Sequence, residues 1–311
     1  MLQLRAVVTG GAGFIGSNLT AKLLKDGAEV VVIDNFMTGS REVADLLKER
    51  GATLLEGTSS SIRELTPVDV VFHLGIPSSS PMYRENPDLL SLAVRDAIAI
   101  FEYAKESGAK VVYASTSSLY NGNDPPFTED MPVFPTDFYT EGRYWMERLA
   151  KVYHELHGVE SVGLRLFSVY GPNERPKSSF ANVASQMVWA ALEGRSFVIY
   201  GDGKQTRDFI YVTDVVRAFL MAWERGEDYE VYNVGTGKET SFNELAELIR
   251  SLGLDLMLEY RENPIKNYVY RTLADTRKAE RDLGFKYEVE LEEGLMKVIR
   301  AYREKGLILA Y

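Results

Sequence analysis

Cysteine is absent from this chain. That excludes disulfides, a thiol nucleophile and a cysteine-based zinc site, and it fits a reducing compartment. Histidine is scarce, with only His73, His154 and His157. His154 and His157 stand three apart on a predicted helix with no third ligand in view, so a solvated helix face is the expectation and no metal site is assigned. His73 lies inside the apolar run VDVVFHLG and reads as a hydrogen-bonded core residue. Positive charge is also short: 35 Lys and Arg face 45 Asp and Glu, for a net charge of −10. Wrapping nucleic acid or binding an anionic membrane is therefore not expected as the main role. A small anionic ligand stays open wherever local arginines overcome the overall field. No apolar stretch is long enough to span a bilayer. The chain opens MLQLRAVVTG, already strand-like, which leaves no room for a signal peptide and makes a cytoplasmic location the expectation.

What is present is an ordinary globular composition, 45% hydrophobic and 26% charged over 311 residues, enough for a large core and two lobes. Apolar runs alternate with helix-length amphipathic segments as far as residue 170. The runs are RAVVTG, EVVVID, TLLEG, VDVVFHLG, KVVYAST and SVGLRLFSV. Continuous valine-rich strands imply burial on both faces, hence a parallel sheet built from βαβ units. Beyond 170 the texture changes. GPNERPKSS and YGDGKQTRD are rich in polar residues, glycine and proline. The helical stretches VTDVVRAFLMAWE, SFNELAELIRSLG and LEEGLMKVIRAYREKG follow. The expected organisation is an α/β chain with a doubly wound parallel sheet over residues 1–170 and a smaller mixed α/β substrate lobe over 171–311, some later segments returning to the first. A cleft between lobes suits a small molecule.

VVTGGAGFIGSNL joins the first strand to the first helix, and Gly10, Gly13 and Gly16 make GxxGxxG. Glycines there permit a tight turn and close backbone approach to a pyrophosphate, and the helix N-terminus offers free N–H groups. Phe14 and Ile15 lie inside the same turn. Asp34 ends the second strand, where a carboxylate accepts both ribose hydroxyls of an adenosine and repels a 2′-phosphate. The expectation is a Rossmann-type site for NAD rather than NADP, with Asn35, Thr38 and Gly39 beside the acid. Arg41 reads as a solvated charge on a helix surface.

Three further segments recur in order: ASTSSLY at 114–120, FYTEGR at 138–143 and LRLFSVYGP at 164–172. With TGGAGFIG, IDN and YGDGKQTRDFIYVTD they make the chain resemble the extended short-chain dehydrogenase/reductase family. The resemblance runs from residue 4 to about 303 and is strongest to nucleotide-sugar 4-epimerases of the UDP-glucose/UDP-galactose type. It implies that Tyr139 deprotonates the sugar 4-hydroxyl while hydride passes to NAD, and that Thr116 hydrogen-bonds the same oxygen. Arg143 stands one helical turn after Tyr139, where the family carries lysine. The chemistry is consistent: a free tyrosine titrates near pH 10, and making it an efficient base near neutrality takes about 4 kcal/mol of preferential phenolate stabilisation. A cation four residues on and the positive nicotinamide are the available sources. Related dehydratases carry Asp-Glu just after the threonine, and decarboxylases a glutamate. Here Ser117 and Ser118 stand in those places, which favours plain oxidation and re-reduction.

The resemblance also implies a set of binding contacts. Thr58, Leu74, Gly75, Ile76, Ala114 and Leu166 match cofactor-lining positions, together with Tyr139 and Arg143. Arg207 matches a diphosphate-binding arginine, the residue-level alternative being a salt bridge with Asp208 or Asp214. Either Lys266 or Arg271 would supply a second cation, and Asn182, Val183 and Tyr200 match the nucleotide pocket. Core packing remains open for Val183 and Tyr200. Several positions depart from the pattern besides Arg143. Thr58 replaces an aspartate, Ala93 an asparagine and Ser168 an asparagine near the sugar, while LGIPSSSP replaces Leu-Ala-Ala. The expected substrate is a nucleotide sugar, UDP-hexose above others. The alternatives are another nucleotide-sugar-modifying enzyme and a non-catalytic NAD-binding protein. The resemblance implies a homodimer through segments around 88–106 and 138–157, the alternative being that these apolar helix faces pack within one chain.

Overall fold

The chain was described from a computed structural model, which covers residues 3–304 and 309–311. Its strands are β1 (Arg5–Thr9), β2 (Glu29–Asp34), β3 (Thr53–Glu56), β4 (Val70–His73), β5 (Lys110–Thr116), β6 (Ser161–Leu166), β7 (Ser168–Tyr170), β8 (Ser196–Tyr200), β9 (Thr206–Arg207), β10 (Phe209–Tyr211), β11 (Tyr229–Val234), β12 (Thr240–Ser241) and β13 (Met257–Arg261). Its α-helices are α1 (Phe14–Lys25), α2 (Arg41–Glu49), α3 (Ser80–Glu85), α4 (Leu89–Ser107), α5 (Phe138–His157), α6 (Val183–Leu192), α7 (Val212–Arg225), α8 (Phe242–Ser251), α9 (Arg277–Leu283) and α10 (Leu291–Arg303). The last two residues of LEEGLMKVIRAYREKG, Lys305 and Gly306, lie outside the described residues.

Seven strands form one parallel sheet in the order β11-β6-β5-β4-β1-β2-β3. Alternate side chains on each strand enter opposite layers. Ala6 and Val8 of β1 join the layer containing Leu19, Leu23 and Phe219, from α1 and α7. Val7, between them, joins Ile100, Phe101 and Met146, from α4 and α5. That two-sided burial is why the strands read as unbroken apolar runs. The chain winds outward from β1 to β3, then returns to place β4 on the other side of β1. The reversal opens a crevice at the carboxyl ends of β1 and β4, the place where open α/β sheets bind ligands.

SVGLRLFSV is two strands rather than one. β6 pairs with β5 and β11, whereas β7 turns away to pair with β10. The break is at Phe167, whose N–H bonds Val234 O, while the next N–H, that of Ser168, bonds Asp208 O. The final strand of the main sheet, β11, comes from beyond residue 170, and α7 and α9 pack beside it. The remaining elements form a smaller unit: β8 pairs with β13, β9 with β12, and α6, α8 and α10 share an apolar cluster built on Met187, Leu245 and Leu295. Among the described residues no helix is long and apolar enough to cross a membrane.

Candidate active site

One cavity, about 390 Å³, runs along the carboxyl ends of the strands and reaches Arg207, Val269 and Thr272 of the smaller unit. Its first wall is the turn after β1. Gly10 has φ +67°, a conformation costly for other residues, and a Cβ on Gly16 would lie 2.1 Å from Gly10 O. Gly13 caps α1 with no side chain over the helix end, and no acid occupies the first turn. The N–H groups at Phe14, Ile15 and Gly16 therefore face a cradle suited to a pyrophosphate.

Asp34 closes the adenosine end. It is 5% exposed; its Oδ2 accepts from Ala12 N at 2.8 Å and its Oδ1 from Phe36 N at 2.8 Å. Two acceptor sites of the carboxylate remain for ribose hydroxyls. Burial raises its pKa, against the lowering by these backbone bonds. Gly39 touches this carboxylate, since a Cβ there would lie 2.8 Å from Oδ1. Asn35, Thr38 and Thr58 line the same end. Arg41 is turned outward and paired to Glu56 at 2.6 Å and does not line the cavity beside Asp34. The donor set fits NAD.

The loop after β4 forms the next wall with Leu74, Gly75 and Ile76. Here the departure from Leu-Ala-Ala has a steric reason. A Cβ on Gly75 would stand 2.6 Å from Ser59 Oγ and 3.0 Å from Gly10 N. Ala93, by contrast, lies on the buried face of α4 in the cluster with Val7 and Val71 of the sheet and is not part of the cavity lining. His73 is a core residue: Nδ1 lies 2.8 Å from Thr9 Oγ1, Nε2 has no partner among the described residues, and burial, aided by the Arg143 charge, lowers its pKa to about 3. His154 Nδ1 sits 3.3 Å from Val159 O, and the His157 ring packs on Tyr153.

Thr116, Tyr139 and Arg143 converge on the middle of the cavity, with Ala114, Ser117, Ser118, Leu166 and Ser168 around them. A reciprocal cap at Asp137 and Thr140 starts α5 and sets Tyr139 in its first turn. Tyr139 is 9% exposed, and its hydroxyl makes no hydrogen bond among the described residues. Thr116 Oγ1 accepts from Ser118 N at 3.2 Å. The Arg143 guanidinium carbon is 5.2 Å from the Tyr139 ring centre. Arg143 Nη1 donates to Ala114 O at 2.5 Å and Nη2 to Pro77 O at 3.3 Å.

Beneath this trio lies a buried polar network that the sequence reading did not include. Glu147, two turns after Tyr139, takes a bidentate contact from Arg165, with Nε–Oε1 2.9 Å and Nη2–Oε2 2.7 Å. Ser115 Oγ donates to Glu147 at 2.5 Å, and Arg165 Nη1 donates to the Tyr120 hydroxyl at 2.8 Å. Glu147, Ser115 and Arg165 tie α5 to β5 and β6, directly under Thr116 and Tyr139. The i+8 spacing of Glu147 from Tyr139 was the available signal.

On the substrate side Arg207 lines the cavity without a carboxylate partner among the described residues. Nη1 donates to Thr206 O at 2.7 Å, and the guanidinium sits over Phe242 and Tyr268. Asp208 and Asp214 are engaged elsewhere: Asp208 by Thr236, Gly237 and Ala274, and Asp214 by Arg217 and backbone N–H groups. Asn182 lines the cavity and caps α6. Val183, Tyr200, Lys266 and Arg271 do not line it. Val183 packs on the α6 cluster, Tyr200 is 40% exposed, Lys266 is exposed, and Arg271 is held by Glu239 at 2.7 Å. The cavity's second cation on this side is Lys177, over the Phe14 ring and 3.3 Å from the buried Glu174. It lies in GPNERPKSS, whose irregular backbone gives no periodicity from which to place a side chain.

The family model described as the NAD dependent epimerase/dehydratase family matches residues 6–235. A putative UDP-glucose 4-epimerase of Methanocaldococcus jannaschii is 36% identical over 94% of this chain and 96% of its own. UDP-glucuronic acid decarboxylase 1 of Xenopus tropicalis is 35% identical over 97% of this chain and 72% of its own. The crystal structure of UDP-glucose 4-epimerase with UDP-glucose from Thermotoga maritima superposes with a TM-score of 0.91 at 32% identity, covering 97% of this chain and 99% of that one. The chain is an enzyme of the NAD dependent epimerase/dehydratase family, and its cofactor is NAD.

Proposed function

We propose that the chain is a nucleotide-sugar 4-epimerase of the UDP-glucose/UDP-galactose type. The observation that carries this reading is that, among the described residues, no uncommitted acid stands on the cavity wall. Ser117 and Ser118 follow Thr116, and the carboxylates that do line the cavity are already engaged. Asp34 accepts two backbone N–H groups, Asp96 accepts from Ser60, and Glu174 accepts from Asn182 N, Ser185 and Lys177. Elimination of water needs a free acid and base beside C5 and C6; inversion at C4 needs neither.

NAD, when bound, supplies reversible hydride acceptance at C4. Tyr139, with its phenolic oxygen deprotonated, is the base that takes the 4-hydroxyl proton and, as the hydroxyl so formed, later returns it. Thr116 bonds the same oxygen and keeps it aimed at Tyr139. Arg143 places a fixed positive charge one turn away, its guanidinium carbon 5.2 Å from the Tyr139 ring centre. Arg207 grips the diphosphate as a charge-assisted donor. The cavity wall near the sugar is built of small hydroxyl side chains, leaving room for a keto sugar to present its other face. Incubation with UDP-glucose and no added NAD should yield the C4 epimer, with no net NADH and no carbon dioxide from UDP-glucuronate. Release of carbon dioxide would instead favour the decarboxylase activity named for one relative.

The expected homodimer would bury the outer faces of α4 and α5. Leu90, Val94 and Ile98 form a shallow groove there, and Val152 and Leu156 are exposed on α5. Light scattering of the purified protein decides between one copy and two.

A further inference from the structure

The two largest departures from the family pattern, Arg143 and the LGIPSSSP loop, meet at one hydrogen bond. The loop is anchored at its start. Gly75 N donates to Thr9 Oγ1 at 3.0 Å, Ser59 Oγ donates to Gly75 O at 3.1 Å, and the Gly75 backbone lies against Gly10. It is anchored again at its end, where Ser80 Oγ donates to Asp137, the cap of α5. Between the anchors, support is thin. The Ser78 and Ser79 hydroxyls are buried with no partner among the described residues. Apart from the first turn of α3, where Met82 N donates to Ser79 O, the one hydrogen bond that reaches 77–79 from another element among the described residues is Arg143 Nη2 to Pro77 O.

Arg143 itself is 4% exposed and has no carboxylate partner among the described residues. Its fork ends on two backbone carbonyls of different elements, Ala114 O on β5 and Pro77 O on the loop, and its Nε has no partner among the described residues. A guanidinium is a planar fork of five donors whose two ends can serve separate acceptors. A lysine ammonium offers three donors at one point on a shorter stem.

We propose that Arg143 is a strap as well as a charge: it ties the 75–80 loop to the end of β5 and so holds the cofactor side of the cavity closed. Arginine and loop are then one adapted unit, and lysine cannot replace the arginine. The inference rests on NAD binding, which the whole family shares, and stands whether the turnover is epimerisation or a sibling reaction.

The test is hydrogen–deuterium exchange on the NAD-loaded enzyme, read on peptides across 74–83, together with the dissociation rate of bound NAD. Arg143→Lys keeps the charge and removes the fork. Exchange at 76–79 should rise about tenfold or more, in line with a lost hydrogen bond to a charged donor, and NAD should leave faster by a similar factor. Arg143→Met, lacking fork and charge, should open the loop to the same extent while losing more turnover. Ser80→Ala releases only the far anchor, and the added exchange should stay within 80–83. The proposal is overturned if Arg143→Lys leaves exchange and NAD release unchanged, or if Ser80→Ala frees 76–79 as well. Equal or higher turnover of Arg143→Lys with an intact loop would make the arginine a plain stand-in for lysine.

Discussion

Replacing Glu147 by alanine is expected to be among the costliest single changes outside the apolar core. Its side chain is 3% exposed and that of Arg165 6%, and the two are joined by the bidentate contact under the active site. Removing the carboxylate leaves a guanidinium buried among β5, β6 and α5 with its Nε and Nη2 donors unanswered. Ser115 Oγ loses its acceptor at the same time. Breaking one partner of a buried pair costs about 3–5 kcal/mol, because the surviving charge stays desolvated. The pair's net worth is much smaller. Replacing both partners, Glu147→Leu with Arg165→Met, should bring the chain back to within about 1–2 kcal/mol of wild type. Urea unfolding followed by circular dichroism at fixed pH reads all three proteins. Turnover measured on the folded fraction of Glu147→Ala should also fall, since Ser115 adjoins Thr116 and Glu147 shares α5 with Tyr139. A loss below about 1 kcal/mol for the single variant, or a double variant as unstable as the single, would refute the clamp.

Arg207→Met should raise KM for the nucleotide sugar about 10- to 100-fold while leaving NAD content unchanged, the effect of one charge-assisted phosphate contact; steady-state kinetics and the absorbance of bound cofactor check both halves. His73 should make the fold acid-sensitive. Burial holds the imidazole neutral, with its pKa lowered to about 3, whereas the unfolded chain takes the proton near pH 6.5. As pH falls below that value the unfolded state binds the extra proton first, so stability drops by up to about 1.4 kcal/mol per pH unit down to the folded value. Urea midpoints between pH 7 and 5 should fall more steeply for wild type than for His73→Gln. Parallel slopes would show that His73 is not the group responsible.

The parts of this molecule that obey a period were legible in its sequence. EVVVID is β2 to the residue, and KVVYAST is β5, because strands buried on both faces leave an unbroken apolar record. The glycine turn was readable because backbone approach admits no side chain there. The break at Phe167 was hidden: nothing in SVGLRLFSV marks where the chain leaves one sheet for another, since the choice is made by distant partners at Val234 and Asp208. The return of residues 229–234 to the main sheet is long-range in the same sense. At the site, Tyr139, Thr116 and Arg207 sit on regular elements and line one cavity; the resemblance singled them out, and only the four-residue step from Tyr139 to Arg143 was read from spacing. Lys177 lies in a 3₁₀ segment with Ser178 at φ +49° and ψ −121°, where no sequence rule aims a side chain. Tyr200, Lys266 and Arg271 were matched by alignment alone, and the local partners decide their fate: Glu239 takes Arg271 to the surface.

The central claim is that Tyr139 inverts a nucleotide sugar at C4 with NAD retained. The direct measurement follows UDP-glucose by proton NMR with wild type and Tyr139→Phe, no NAD being added. Wild type should form the C4 epimer to equilibrium without NADH accumulation. Tyr139→Phe should be slower by about 10²-fold or more, the usual loss when a positioned general base is removed, with its bound NAD intact. A keto sugar with stoichiometric NADH, or a phenylalanine variant as active as wild type, would contradict the account.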